Sequence, residues 1–106
     1  MQTYGKAFDA LGDATRRAIL EALVRGPRTV GELAERLPVS RPAVSQHLKV
    51  LKNARLVVDR QAGTRRYYHI SPEGIGRLRA YLDAFWQRAL TELKASAEGK
   101  PRKGTR

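Results

Sequence analysis

The stretch "PVSRPAVSQHLKVLKNARLV", residues 38–57, holds four basic side chains (Arg41, Lys49, Lys52, Arg55), three histidine or hydroxyl residues (Ser40, Ser45, His47) and no carboxylate. Pro38-Val39 interrupts what precedes it, and Ser40 is a good N-cap for a helix running from Arg41 to about Ala54. At about 100° per residue, Leu51 falls within about 20° of Val44, Leu48 within about 40° and His47 within about 60°. That is the stripe to bury. The opposite side carries Lys52, Ser45, Lys49, Pro42, Asn53 and Gln46, with Arg41 at its margin, and nothing acidic or large and apolar.

Reading upstream, "GDATRRAILEALVRGP" predicts a helix capped by Asp13, with Ile19, Leu20 and Leu23 at helical spacing and Gly26-Pro27 as its stop. A shorter helix, about Thr3–Leu11, precedes it. Thr29 and Glu32 have capping-box spacing, so a third helix is expected over Val30–Leu37. Two short helices separated by about three residues make a helix-turn-helix. Downstream the period changes to alternation: "LVVDRQ" and "RRYYHI" flank Ala62-Gly63-Thr64 and predict a two-stranded hairpin. Ser71-Pro72 opens a last helix to about Ala97, along which Ile75, Leu78, Leu82, Phe85, Trp86, Ala89 and Leu93 recur at three- and four-residue steps. The expected fold is mainly α with a small β-hairpin. It occupies residues 1–97 as one domain, followed by a basic tail at 98–106 without apolar residues, which predicts disorder.

With 106 residues the chain has room for one modest core. No apolar run approaches the length of a membrane span, and the first residues lack the pattern of a signal peptide, so the expected location is the cytoplasm. The absence of cysteine removes disulfides, thiolate metal sites and cysteine nucleophiles. No nucleophile–base–acid set and no glycine-rich phosphate loop is visible, so an enzyme is not expected, and neither is a cofactor. The net charge is +11. Residues 41–67 hold seven basic groups against one acid, and residues 94–106 five against one. Such an imbalance predicts a polyanionic partner.

A helix that enters the DNA major groove needs donors for phosphates and base edges, a slim profile, and no carboxylates against the phosphodiesters. Ser45 and Gln46 suit base edges, Lys49 and Lys52 suit phosphates, and Arg41 suits either. Ser40 and Pro42 flank the helix start, whose amides point positive dipole ends outward. An ordinary solvated helix also shows a polar, basic face. Three features together favour double-stranded DNA: the helix-turn-helix spacing, the lack of acids from Arg36 to Val58, and the hairpin with Arg60, Arg65 and Arg66. A nonspecific nucleoid-associated or RNA-binding protein is the alternative, since the hairpin and tail would suffice for it.

From Phe8 to Val57 the string "FDALGDATRRAILEALVRGPRTVGELAERLPVSRPAVSQHLKVLKNARLV" resembles the ArsR family of bacterial winged helix-turn-helix repressors, and most of all its metal-independent branch. The resemblance implies a homodimeric repressor that blocks a promoter, often that of its own operon. It makes the fourth helix the recognition helix, "RQAGTRR" the wing, and the first and last helices the dimer interface. The family usually has Pro where Ala14 stands and Gly where Arg55 stands. At Arg55 that leaves two alternatives: a helix that ends differently or runs on, or a left-handed residue at a cost of about 1–2 kcal/mol. Metal-sensing relatives use a cysteine pair or carboxylate and histidine ligands along the last helix, and neither set exists here, so no metal is expected. His47 flanks the buried stripe and reads as a packed, hydrogen-bonded side chain; His69 falls on the hairpin.

Arg65 and Arg66, as strand neighbours, face opposite ways. Either they reach phosphate or an adjacent minor groove, or the hairpin is simply solvated. An apolar helix face needs a partner, and the expected dimer contacts are Phe8, Leu11, Leu78, Leu82, Phe85, Trp86, Ala89 and Leu93. The tail either adds phosphate contacts or is an inert solubilising end.

Overall fold

The structure, a computed structural model, describes residues 2–99, with side chains from Tyr4 onward. The basic end expected at 98–106 lies, beyond Gly99, outside the described residues. The order is α1 (Gln2–Leu11), α2 (Ala14–Val24), α3 (Val30–Arg36), α4 (Arg41–Asn53), β1 (Val57–Ala62), β2 (Arg65–Ile70) and α5 (Pro72–Ala97). One compact unit ends at Ile75; a second begins at Gly76 and comprises, over the described residues, most of α5. The fold is mainly helical with a small antiparallel hairpin.

Local chemistry sets the helix boundaries. Asp13 Oδ2 accepts the Arg16 amide at 3.0 Å and starts α2. The capping box of α3 is complete: Thr29 Oγ1 accepts from Glu32 N at 3.1 Å and Glu32 Oε1 accepts from Thr29 N at 2.9 Å. Ser40 Oγ accepts from Ala43 N at 3.3 Å, and Pro42 sits in the first turn of α4, where no partner for its nitrogen is needed. Two arginines of α2 reach back to the end of α1. Arg16 Nε donates to Ala10 O at 2.8 Å and Arg17 Nη1 to Leu11 O at 2.7 Å, satisfying carbonyls that a helix C-terminus leaves open.

The core of the first unit is made where these helices converge. Ile19 of α2, Leu33 of α3, Val44, Leu48 and Leu51 of α4, and Leu56 and Val57 leading into β1 are all fully buried. The hairpin root is tied to the helices by its backbone. Arg28, between α2 and α3, donates to Tyr68 O at 3.0 Å and accepts from Tyr68 N at 2.8 Å. The sequence patterns contain no sign of this third strand-like segment.

At Arg55 the structure settles the alternatives: the residue is left-handed, with φ 64°. Its amide donates to Lys52 O at 2.9 Å and the Leu56 amide to Leu51 O at 3.0 Å, the paired bonds of a Schellman motif. Buried Leu51 and Leu56 supply the apolar contact that accompanies it. The turn also carries the start of α5, because Ser71 N donates to Leu56 O at 3.0 Å and Ser71 Oγ accepts from Gly74 N at 3.0 Å. Gly74 thereby lies directly on the Arg55 carbonyl, and a Cβ there would fall 1.7 Å from that oxygen. Two outcomes are expected from urea denaturation. Arg55→Gly stabilises the protein by about 0.5–1 kcal/mol, the left-handed strain less the entropy of a glycine. Gly74→Ala destabilises it by about 3 kcal/mol, and Arg55→Gly does not rescue it, because the clash is with backbone.

Candidate nucleic-acid interface

Burying Val44, Leu48 and Leu51 turns the opposite side of α4 to solvent. Ser40, Arg41, Pro42, Ser45, Gln46, Lys49, Lys52 and Asn53 are all exposed there. His47 is half-buried on the flank, with Nδ1 3.4 Å from Arg16 Nη1 and 3.9 Å from Asp13 Oδ2. Since a guanidinium only donates, the Arg16 contact uses the Nδ1 lone pair. Arg16 thus joins the end of α1 to the inner flank of α4, a role no local pattern announces. The Asp13 carboxyl is held below its ordinary pKa, first by the Arg16 amide and then, against the opposing effect of burial, by the charge of Arg16.

The hairpin extends beside this helix. Its register runs from Val57↔Ile70 to Ala62↔Arg65, leaving Gly63-Thr64 as a two-residue loop with Gly63 at φ 63°. Gln61 Nε2 donates to Gly63 O at 3.0 Å and braces the tip. Opposite faces of the hairpin hold different groups. On one, Arg60 lies over the ring of its cross-strand partner Tyr67, 5.6 Å from the centroid. On the other, with buried Val57, stands Asp59.

Asp59 is the single acid between Glu35 and Glu73. Its Oδ1 is 3.0 Å from Lys52 Nζ of α4 and its Oδ2 2.7 Å from Arg66 Nη1 of β2. The carboxylate is 14% exposed, whereas the two cations are 45% and 49% exposed. The hydrogen bond from Lys52, reinforced by Arg66, keeps the Asp59 carboxyl below its ordinary pKa despite its burial. Lys52 and Arg66 therefore belong to an internal triad in addition to facing solvent. The one acid in a basic stretch was the available signal. The Arg41 guanidinium lies over Gly31 of α3, where a Cβ would come within 3.0 Å of Nη2, beside a cleft also lined by Glu35, Thr64 and Arg65. Lys49 and Arg65 have no ion-pair partner among the described residues.

In the second unit, α5 exposes Leu82, Phe85, Trp86, Leu90 and Leu93, with Phe85 at 51% and Trp86 at 57%. Ala89, nearer the C-terminal end of the helix, is half-buried. On α1, Phe8 is exposed and Leu11 half-buried. Among the described residues no group of three or more His, Cys, Asp or Glu side chains is placed to hold a metal ion. His69 Nδ1 lies 3.1 Å from Ile70 O, far from any such role. No helix of the described residues is long and apolar enough to cross a membrane.

Comparison with known proteins gives this geometry its context. Residues 13–58, from the cap of α2 into β1, match the family described as bacterial regulatory protein, arsR family. The HTH-type transcriptional regulator Rv2034 of Mycobacterium tuberculosis is 65% identical over 94 residues, which cover 86% of this chain and 88% of that protein. The transcriptional repressor SdpR of Bacillus subtilis is 41% identical over 64 residues, covering 60% and 71% of the two chains. An ArsR-like transcriptional regulator from Rhodococcus sp. RHA1 superposes with a TM-score of 0.77 at 33% identity over 94% of both chains. The homodimeric winged helix-turn-helix DNA-binding domain of a possible ArsR-family regulator from Mycobacterium bovis gives 0.68 at 31% identity, over 84% and 82%. With its helix-turn-helix of α3 and α4 and its β1–β2 wing, this chain belongs to the arsR family of bacterial regulatory proteins and is a DNA-binding transcriptional regulator.

Proposed function

We propose that the chain acts as a homodimeric repressor that reads an inverted-repeat operator, that of its own operon among the candidates. The observation that carries this reading is the open face of α4, where Ser45, Gln46 and Lys49 are exposed while Val44, Leu48 and Leu51 are buried. Ser45 and Gln46 read base edges; Gln46 offers both a donor and an acceptor to an adenine. Arg41, Lys49 and Arg65 neutralise phosphates, joined by Lys52 and Arg66 through the donors that Asp59 leaves open, while Ser40 and Pro42 present the start of the helix and Arg60 the flank of the wing. Residues 1–97 form the working DNA-binding and dimerisation domain, the tail adds nonspecific phosphate contacts, and the protein works in the cytoplasm.

Dimerisation rests on the first and last helices, with Phe8 and Leu11 of α1 and, beginning at Leu78, the apolar side of α5. Leu82, Phe85, Trp86, Ala89 and Leu93 repeat at three- and four-residue steps, and most of them face solvent. The Mycobacterium bovis relative is described as homodimeric, and SdpR as a repressor, which supports both parts of the reading. A two-fold dimer sets its recognition helices about 34–36 Å apart, one turn of DNA.

Three measurements test this. In selection from a random duplex pool followed by footprinting, the wild type protects two inverted half-sites one turn apart; Gln46→Ala loses about 1–3 kcal/mol at one base position per half-site. Equal binding to all duplexes, untouched by Gln46→Ala, would instead indicate a nonspecific nucleic-acid binder. Raising salt from about 50 to 200 mM weakens binding roughly a thousandfold if about six phosphates are neutralised; a flat dependence contradicts the basic surface. In sedimentation equilibrium Leu82→Asp and Phe85→Asp yield folded monomers with weak operator affinity, and variants that remain dimeric place the interface elsewhere.

A further inference from the structure

We propose that Asp59 is a positioning residue for DNA binding: its carboxylate ties the last turn of α4 to the wing so that Lys52 and Arg66 meet the phosphate backbone as one preset pair. The inference rests on the DNA-binding reading above and identifies how two of its contacts are held. A carboxylate at the centre of a basic DNA-facing surface repels the ligand, so by charge alone it is a defect. Its surroundings show what it does instead. Asp59 shares a face of the hairpin with Val57, and its cross-strand partner is Tyr68; Arg66, two residues before Tyr68, is therefore its diagonal neighbour on that face. Lys52 arrives from a different element. The two oxygens are divided between them, at 3.0 Å and 2.7 Å, so one carboxylate fixes the distance between a helix and a strand.

Lys52 has three donors and Arg66 five, and the contacts to Asp59 use one of each, while about half of each cationic side chain remains exposed. Phosphate oxygens can therefore be bound without breaking the internal pairs. Prior fixation lowers the ordering cost that two long side chains otherwise incur on binding. The remainder of the hairpin agrees with this role. Its root is anchored to Arg28 and its tip braced by Gln61, but between these points Asp59 supplies the side-chain tie to α4.

The prediction opposes simple electrostatics. Asp59→Asn removes a negative charge from the interface, which by itself tightens DNA binding. If Asp59 positions the pair, the full-length variant binds a duplex selected by the wild type about tenfold more weakly, while its binding to a scrambled duplex of equal composition is unchanged or tighter. Asp59→Glu recovers part of the loss. In the free protein, amide order parameters of residues 61–66 fall from about 0.85 toward 0.6 in Asp59→Asn, a readout that needs no DNA. If Asp59→Asn folds, Lys52→Met and Arg66→Met have effects on affinity that are non-additive with it; if it does not, these two variants test the same tie from its other ends, each loosening the wing in the free protein. Tighter operator binding by Asp59→Asn, or unaltered wing order in a folded variant of the triad, overturns the proposal. A wild-type protein that selects no sequence overturns the operator reading instead, and the order parameters still judge the tie.

Discussion

The open polar face of this fold depends on how α4 is rolled, and that roll is decided by three side chains on its other side. Val44, Leu48 and Leu51 are each at or below 1% exposure, set among Ile19, Leu33, Leu56 and Val57. Each is worth about 1.5–3 kcal/mol when buried. Turning the helix by one residue, about 100°, would drive Ser45 and Lys49 into that core and expose the leucines, at a cost comparable with the stability of a small domain. The polar face is therefore set by packing rather than by any attraction to DNA. The caps at Thr29 and Ser40 then fix where the two helices begin, and the left-handed turn at Arg55 sends the chain from the end of α4 straight into the wing.

On this scaffold the basic residues fall into two physical states. Lys52 and Arg66 are held by Asp59, Arg60 lies over Tyr67, and Arg41 lies over Gly31. Lys49 and Arg65 project without ion-pair partners among the described residues. Fixing a cation beforehand lowers the entropic cost of ordering it on a ligand, and an unfixed one bears that cost in full. A surface with net charge +11 behind it attracts any polyanion. Charge of this kind does not by itself discriminate between sequences; under the proposed function that falls to Ser45 and Gln46.

The parts of this arrangement that were legible in the sequence are those encoded over short distances. The 3.6-residue spacing of Val44, Leu48 and Leu51, the Thr29–Glu32 capping box, Gly63 in the hairpin loop and the Pro72–Ala97 helix each reflect a constraint within a few turns of chain. The helix ends shifted by one residue at Leu37 and Ala54, because the cap residues themselves lie outside the helix. What the patterns did not disclose joins distant positions: Arg28 with Tyr68, Arg16 with His47, and Asp59 with Lys52 and Arg66. None of these has a period. Charge alone gives no sign that Lys52 and Arg66 share a partner; the folded geometry places the Asp59 carboxylate between them.

The side of α4 opposite Val44 is the surface on which the account stands. A backbone amide NMR titration of the full chain with a selected operator duplex tests it most directly. The account predicts the largest shift changes in residues 41–53 on the face of Ser45, Gln46 and Lys49, together with the wing around residues 60–66. Changes concentrated on other surfaces, with those amides unmoved at saturation, would contradict it.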